Sequence, residues 1–416
     1  MCRPSGDASR SMRSREDALV RNFLKGAAAF VAAALLLSCG GNEDKAPKSA
    51  PTGLSVQAGD NSVIVTWDQQ PGLTYWIFSA AAPSITRDNY REFPSARITQ
   101  PATSPQLITG LTNGTTYSFL INATESGGAA GPSTASIAAV PRLAGGTWAL
   151  GPALPADINA ISLTTGGYIA VGAGGLLYTR EAKIGAGWVA GTSGVSTALN
   201  AAASLGQTVV VGDAGVILTS TDAKAWTARS SGTTVRLNGV LAGLGAFIAV
   251  GDNGTILRST DAVTWNPVSA GTTAHLYAVG LVNNVLVAVG AGGTLLSSSD
   301  GGLAWTARST GTTANLRSAA YGSSYVVVGD AGTVITSADL AAWTVQTPPT
   351  SQSLRRVVFS TRLVAVGDGG TVLLSADGLT WTAGSSGTTA DLRALAAGAQ
   401  LEYLFGGTGG VNGVSR

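Results

Sequence analysis

Histidine occurs once in these 416 residues, and cysteine and methionine twice each. A lone histidine, His275, cannot build a His-rich metal site, and zinc ligation would need more His or Cys than are present. Two cysteines cannot make a disulfide scaffold. Charge is also scarce. Only 12% of residues are charged, and 25 basic against 23 acidic residues lack the basic excess of a nucleic-acid binder. Low charge with 45% hydrophobic residues excludes intrinsic disorder. The chain does have 56 glycines, among many Val, Thr and Ser. That mixture disfavours a helical bundle and points to an all-β chain with many tight turns. The length exceeds one ordinary domain and suggests two or three.

Arg13, Arg15, Arg21 and Lys25 form a basic leader, with Met12 as an alternative start. An apolar run from Ala27 to Leu37 has the length of a secretory h-region and is short for a bilayer span. It ends Leu36-Leu37-Ser38-Cys39, which resembles the bacterial lipobox. An ordinary signal peptide with a chance cysteine is the alternative. The resemblance implies that residues 1–38 are removed and that Cys39 becomes a lipid-modified first residue. Gly40 in place of Asp then implies the outer membrane of a diderm envelope. Several acyl chains anchor far better than one. Cleavage takes six of the 25 basic and three of the 23 acidic residues, leaving 19 and 20. Cys2 leaves with the leader, so the folded part is exported without a disulfide.

Residues 39–49 read as a polar tether. Short strands follow over 50–142: Ser62–Trp67 with Val63, Val65 and Trp67 on one face, Leu73–Phe78, and a turn from Gly110 leading into a strand that ends at Ala123. Such spacing suggests a β-sandwich. Pro51, Trp67 and Leu111…Tyr117-Ser118-Phe119 resemble a fibronectin type III module. Trp67 and Tyr117 are then core residues, and the module is a spacer or binding unit.

From Gly145 the sequence repeats. A Val-Gly or Phe-Gly pair recurs at Gly172, Gly212, Gly251, Gly290, Gly329, Gly367 and Gly406, and tryptophan at Trp148, Trp188, Trp226, Trp265, Trp305, Trp343 and Trp381. A period near 40 with strand-like content is the signature of a β-propeller. One repeat reads as strands at Leu237–Val240, Phe247–Val250 and Thr255–Ser259, with a fourth from Trp265. The array is out of phase at its ends. Trp148 has no preceding strands, and the segment from Leu392 to Arg416 has no tryptophan. A seventh blade made of three C-terminal strands and the strand at 147–150 completes both, over 146–416.

The turns after the third strands resemble the Asp-box of sialidase-like propellers. Ser298…Asp300…Trp305 has the full spacing, and Asp222, Asp261, Asp339 and Asp377 stand in turns one residue shorter. The blade with Trp188 carries Glu181 and an insertion instead. These aspartates are structural: a carboxylate takes backbone N–H groups and holds the turn. With Val-Gly-Asp-x-Gly-Thr before each box, the repeat resembles the seven-bladed propellers of the photosystem II stability and assembly factor family. The leader and the first module depart from that family's pattern. The resemblance implies a protein-binding propeller; the family also uses an arginine patch on one face.

Catalytic chemistry finds little to build on. Of thirteen acidic residues in the propeller, five are box aspartates and four more (Asp213, Asp252, Asp330, Asp368) share one turn position, leaving Asp157, Glu181, Asp391 and Glu402. A glycosidase needs two carboxylates across one bond. A sialidase also needs an arginine triad and a tyrosine nucleophile, and no Tyr–Glu pair is evident. The glycine-rich turns precede no helix and are not phosphate loops. No cofactor and no metal are expected. Aligned repeats expose another candidate. The residue after the first apolar position of each inner strand is Asn159, Asn200, Asn238, Tyr277, Arg317, Arg355 or Arg393, with Arg236, His275, Arg356 and Asp391 beside it. These seven ring one channel mouth, polar on one arc and cationic on the other. The alternatives are a binding site for a protein or anionic ligand, and arginines that simply pair with turn aspartates such as Asp330 and Asp368. The favoured function is a non-catalytic, lipid-anchored binding or assembly scaffold of the cell envelope. A glycan-binding or sialidase-like protein and a purely structural surface protein are the rivals.

Overall fold

The computed structural model describes residues 45–183, 185–398 and 402–416. The leader and Cys39 lie outside these. The described residues contain strands and short 3-10 turns and no α-helix. They divide into two units: 45–56, 65–106 and 116–139 form one, and 57–64, 107–115 and 140–416 the other.

The first unit is built on a four-stranded antiparallel sheet in the order Arg97–Ala102, Thr74–Ala80, Tyr117–Thr124, Ile137–Ala139. Tyr117–Thr124 is buried along its whole length. Trp67 and Tyr75 stack with ring centroids 5.3 Å apart, so Trp67 is a core residue. Val63, Ile64 and Val65 are all buried, which differs from the one-sided alternation expected for that strand.

The second unit contains seven four-stranded antiparallel sheets, the blades of a β-propeller. Their inner strands are Ile158–Thr164, Leu199–Leu205, Leu237–Gly243, Leu276–Val282, Leu316–Tyr321, Leu354–Phe359 and Leu392–Ala397, for blades 1 to 7. Each inner strand packs on the next, and the seventh packs on the first. Burial follows strand position. The second strands, such as Ala246–Gly251, are buried on both faces because blades cover them from either side, and they are correspondingly rich in Val, Ile and Ala. The outer strands, such as Thr306–Arg308, are exposed.

Blade 7 takes its outer strand from the start of the propeller sequence. Ala149–Leu150 pairs antiparallel with Asn412–Ser415. The Ser415 hydroxyl donates to Thr147 O at 2.6 Å and accepts Gly145 N–H at 2.8 Å, and Trp148 lies 4.6 Å from Phe405. The repeat glycine of blade 7 is Gly407, not Gly406. Leu392 pairs with Gly407 as Leu354 pairs with Gly367. Gly406 occupies the position of a core valine, because a Cβ there would stand 2.6 Å from Ile158 Cγ2.

Candidate functional site

All seven ring candidates share one backbone feature. In every blade the register slips between the first and third residues of the inner strand, as between Leu316 and Ser318, so the residue between them is bulged out of the ladder. Those residues are Asn159, Asn200, Asn238, Tyr277, Arg317, Arg355 and Arg393. A β-bulge re-aims a side chain, and seven of them deliver seven side chains to one end of the propeller.

The tight turns between second and third strands lie at the same end. Each ends in a glycine with positive φ, as at Gly254 (φ +68), where a Cβ would meet Thr272 O at 1.9 Å. Where the turn opens with Asp, the bulge carries Asn or Arg, and the two bond. Asn200 donates to Asp213 at 2.8 Å and Asn238 to Asp252 at 2.9 Å. Arg317 grips Asp330 with two bonds of 2.7 Å, and Arg355 grips Asp368 at 2.7 and 2.6 Å. Such forked guanidinium–carboxylate pairs fix geometry as well as charge. Where the turn opens with Ala or Thr, the bulged side chain reaches to the next blade. Asn159 donates to Leu199 O, the Arg317 guanidinium lies 4.2 Å from the Tyr277 ring centre, and Arg393 bonds Asp157 at 2.9 Å.

The expected cationic arc is therefore compensated. Arg355 also approaches Asp330 at 3.5 Å, and Arg236 pairs with Asp213 at 3.1 Å. Arg317, Arg355, Arg393 and Arg236 stand among Asp157, Asp213, Asp252, Asp330, Asp368 and Asp391, so the mouth is a zwitterionic network. Burial pushes the Asp330 carboxyl up, but the bonds from Arg317 and Asn315 outweigh it and hold the group below the usual range. The Asp368 bond raises Arg355 above its ordinary value.

A second set of contacts escaped sequence reasoning. In five blades the residue before the inner strand accepts a backbone N–H from the turn of the preceding blade. Asn253 N–H donates to His275 Nδ1, Gly292 N–H to Asn315, Ala331 N–H to Ser353, Gly369 N–H to Asp391 and Gly409 N–H to Asp157. The signal available in sequence was a polar residue two positions before the bulge, in six of the seven repeats, Ala198 being the exception.

The aspartates of the other end cap their own turns. Asp261 Oδ1 accepts Val263 N–H and Thr264 N–H at 2.8 Å and the Ser259 hydroxyl at 2.9 Å, and Asp222, Asp300, Asp339 and Asp377 repeat the arrangement. Backbone N–H groups hold the Asp222 and Asp261 carboxyls at about 2, against about 3.9 for a free aspartate. The folded chain then binds fewer protons than the unfolded chain between those values, so this stabilisation is complete above about pH 4 and is lost as pH falls towards 2. Thermal unfolding followed from pH 5 to pH 2 should show a steep acid limb that flattens in the Asp222→Asn/Asp261→Asn variant. An equally steep limb in that variant would place the effect in other carboxylates.

A Tyr–Glu pair exists, contrary to expectation. Tyr168 Oη donates to Glu402 at 2.8 Å, and Arg416 and Arg180 approach the same carboxylate at 2.7 and 3.9 Å. Tyr168 is 1% and Glu402 3% exposed. The cluster sits in the seam between blades 1 and 7. Among the described residues no three His, Cys, Asp or Glu side chains gather as metal ligands.

No protein-family model and no curated protein matches the sequence. Solved structures do. YCF48 from Cyanidioschyzon merolae is 18% identical with a TM-score of 0.52, over 65% of this chain and 98% of its own. YCF48 bound to D1 peptide is 18% identical with a TM-score of 0.53, over 64% and 94%. Streptogramin B lyase is 13% identical with a TM-score of 0.55, over 64% and 97%. At these identities the likeness establishes the fold: the chain carries a β-propeller similar to that of YCF48.

Proposed function

We propose that this protein is a non-catalytic binding or assembly scaffold of the bacterial cell envelope. Cys39 anchors it by lipid to the outer membrane, a fibronectin type III-like sandwich over 50–142 serves as a spacer, and the propeller of 146–416 presents its bulge-bearing mouth to a partner protein. The observation that carries this reading is the set of seven bulges, each aiming one side chain at the same mouth. These side chains brace turns and neighbouring blades, and the same bonds hold their donors and acceptors in fixed places, as a recognition surface requires. A YCF48 propeller solved with a peptide bound supports a protein partner. Because the arginines are paired, the partner must match alternating charges, and a simple anion has no preference for this face.

Arg236 and Arg393 are the exposed members, at 52% and 40%, and so report on binding with least cost to the fold. Crosslinked pull-downs from membrane extract should lose a specific partner in the Arg236→Glu/Arg393→Glu variant and retain it in the parent. In the same preparations, Cys39→Ser should move the protein from the membrane to the soluble fraction. An unchanged partner in the double variant would place the binding surface elsewhere, and a Cys39→Ser protein still in the membrane would remove the anchor.

A further inference from the structure

One layer below the bulges, the inner strands face the axis of the propeller. The residue that pairs immediately after the bulge is Ala160, Ala201, Gly239, Ala278, Ser318 or Ala394 in six blades and Arg356 in the seventh. Four of the small residues, Ala160, Ala201, Gly239 and Ser318, line an axial space that the Arg356 side chain enters. The resulting axial cavity has a volume of about 160 Å³ and draws its walls from all seven blades, including Ser162, Ala201, Gly239, Ser318, Arg356 and Leu395. That is more than the space one water molecule needs.

Arg356 differs from every arginine of the mouth. Arg317, Arg355, Arg393 and Arg236 each have a carboxylate partner. Among the described residues the Arg356 side chain makes no ion pair and no hydrogen bond, while its backbone pairs with Val366. Partial burial in the channel lowers its pKa from the ordinary value. Arg356 is half-buried and faces the axial space without a counter-charge, and its guanidinium presents a planar fork suited to a carboxylate or oxyanion. The surrounding wall is made of Ala, Gly, Val, Ile and Leu with two serines. Both serine hydroxyls are already turned to backbone carbonyls, Ser162 to Ala202 O at 2.6 Å and Ser318 to Val357 O at 3.4 Å. Charge recognition in this cavity therefore falls to one side chain.

We propose that the axial cavity is a binding site for a single carboxylate or small oxyanion, held by the forked N–H groups of Arg356. The cavity is too small for a folded element, and the ligand is either a free small anion or one carboxylate at the tip of an inserted peptide. The proposal is independent of the partner-binding role of the mouth, because Arg356 lies within the channel and can be altered without touching any ring residue.

The test is saturable binding of ¹³C-acetate and of inorganic phosphate to the whole soluble chain, followed by NMR saturation transfer and by anion-dependent melting at constant ionic strength, with gluconate as the bulky reference anion. Saturable binding of acetate or phosphate is expected in the parent, at least ten-fold weaker in Arg356→Met and several-fold weaker in Arg356→Lys, which keeps the charge but loses the fork. A short peptide ending in Glu, compared with the same peptide ending in a Gln carboxamide, separates the two sources. Tighter binding of the Glu peptide than of acetate identifies an inserted carboxylate, and acetate binding alone identifies a free anion. No saturable binding in the parent, or equal binding in Arg356→Met, overturns the proposal. Should Arg356→Met fail to fold, Arg356→Lys decides, and binding equal to the parent overturns it.

Discussion

Replacing Glu402 with Ala should destabilise the propeller by about 3–5 kcal/mol, because it strands two buried arginines without a counter-charge. Arg180 is 7% and Arg416 8% exposed on the side chain, and both converge on this one carboxylate. Burial lowers the Arg180 pKa, and the Glu402 charge is the main influence opposing that shift. Tyr168 would also lose the acceptor of its 2.8 Å bond. Chemical denaturation with a two-state fit is the measurement, and a fall in melting temperature of roughly 10 °C should accompany it. A rescue separates charge from shape. The triple variant Glu402→Leu/Arg180→Met/Arg416→Met removes all three charges and should recover most of the loss, since apolar groups of similar size often replace a buried ion cluster without penalty. A triple variant as unstable as Glu402→Ala would show that the seam depends on packing rather than on charge.

Deleting Gly145–Pro152 should abolish cooperative unfolding of the propeller or convert the monomer to oligomers. The deletion removes the outer strand of blade 7 and bares the edge of Asn412–Ser415, a template for pairing with another chain. It also removes Trp148, which is 9% exposed against Phe405, and the carbonyl of Pro152, which accepts from Asn412 at 2.7 Å. Loss of a buried tryptophan alone costs about 3–5 kcal/mol. Light scattering and calorimetry at several concentrations provide the check. A clean monomer with an unchanged melting curve would show that blade 7 needs only three strands.

The repeats were legible because each blade solves the same local problem with the same residues. Val-Gly before the turn, Gly at its end and Ser-x-Asp before the outer strand all act within a dozen residues. Blade 7 is misregistered by one in the sequence because Phe405-Gly406 imitates Val-Gly, and the pairing of Leu392 with Gly407 and the packing of Ile158 on Gly406 show which glycine is which. The ring positions were legible from alignment, but the bulge beneath them was not, since a bulge is a relation between two strands. Arg317–Asp330 and Arg355–Asp368 share a 13-residue separation, and the match of Asn or Arg with turn Asp in four blades was a usable sign of pairing. Tyr168 and Glu402 are 234 positions apart, and nothing local marks them as partners. Arg356 was visible as a neighbour of the ring, while its isolation became apparent only once Ala160, Ala201, Gly239 and Ser318 were placed around the same axial space.

The strand at 149–150 has a consequence for the order in which the molecule assembles. Thr147 and Ser415 are bonded across 268 positions, so the early segment is synthesised long before its partner exists. Blades 1 to 6 can fold in sequence from local hairpins. The ring cannot shut until Asn412–Ser415 arrives to receive the waiting strand and Glu402 arrives to neutralise Arg180. Non-local closure of this kind is slow and leaves a sheet edge and a side of blade 1 uncovered in the interim. Any fragment lacking either end is an open arc, with the sticky surfaces of an assembly intermediate and none of the protection that closure gives.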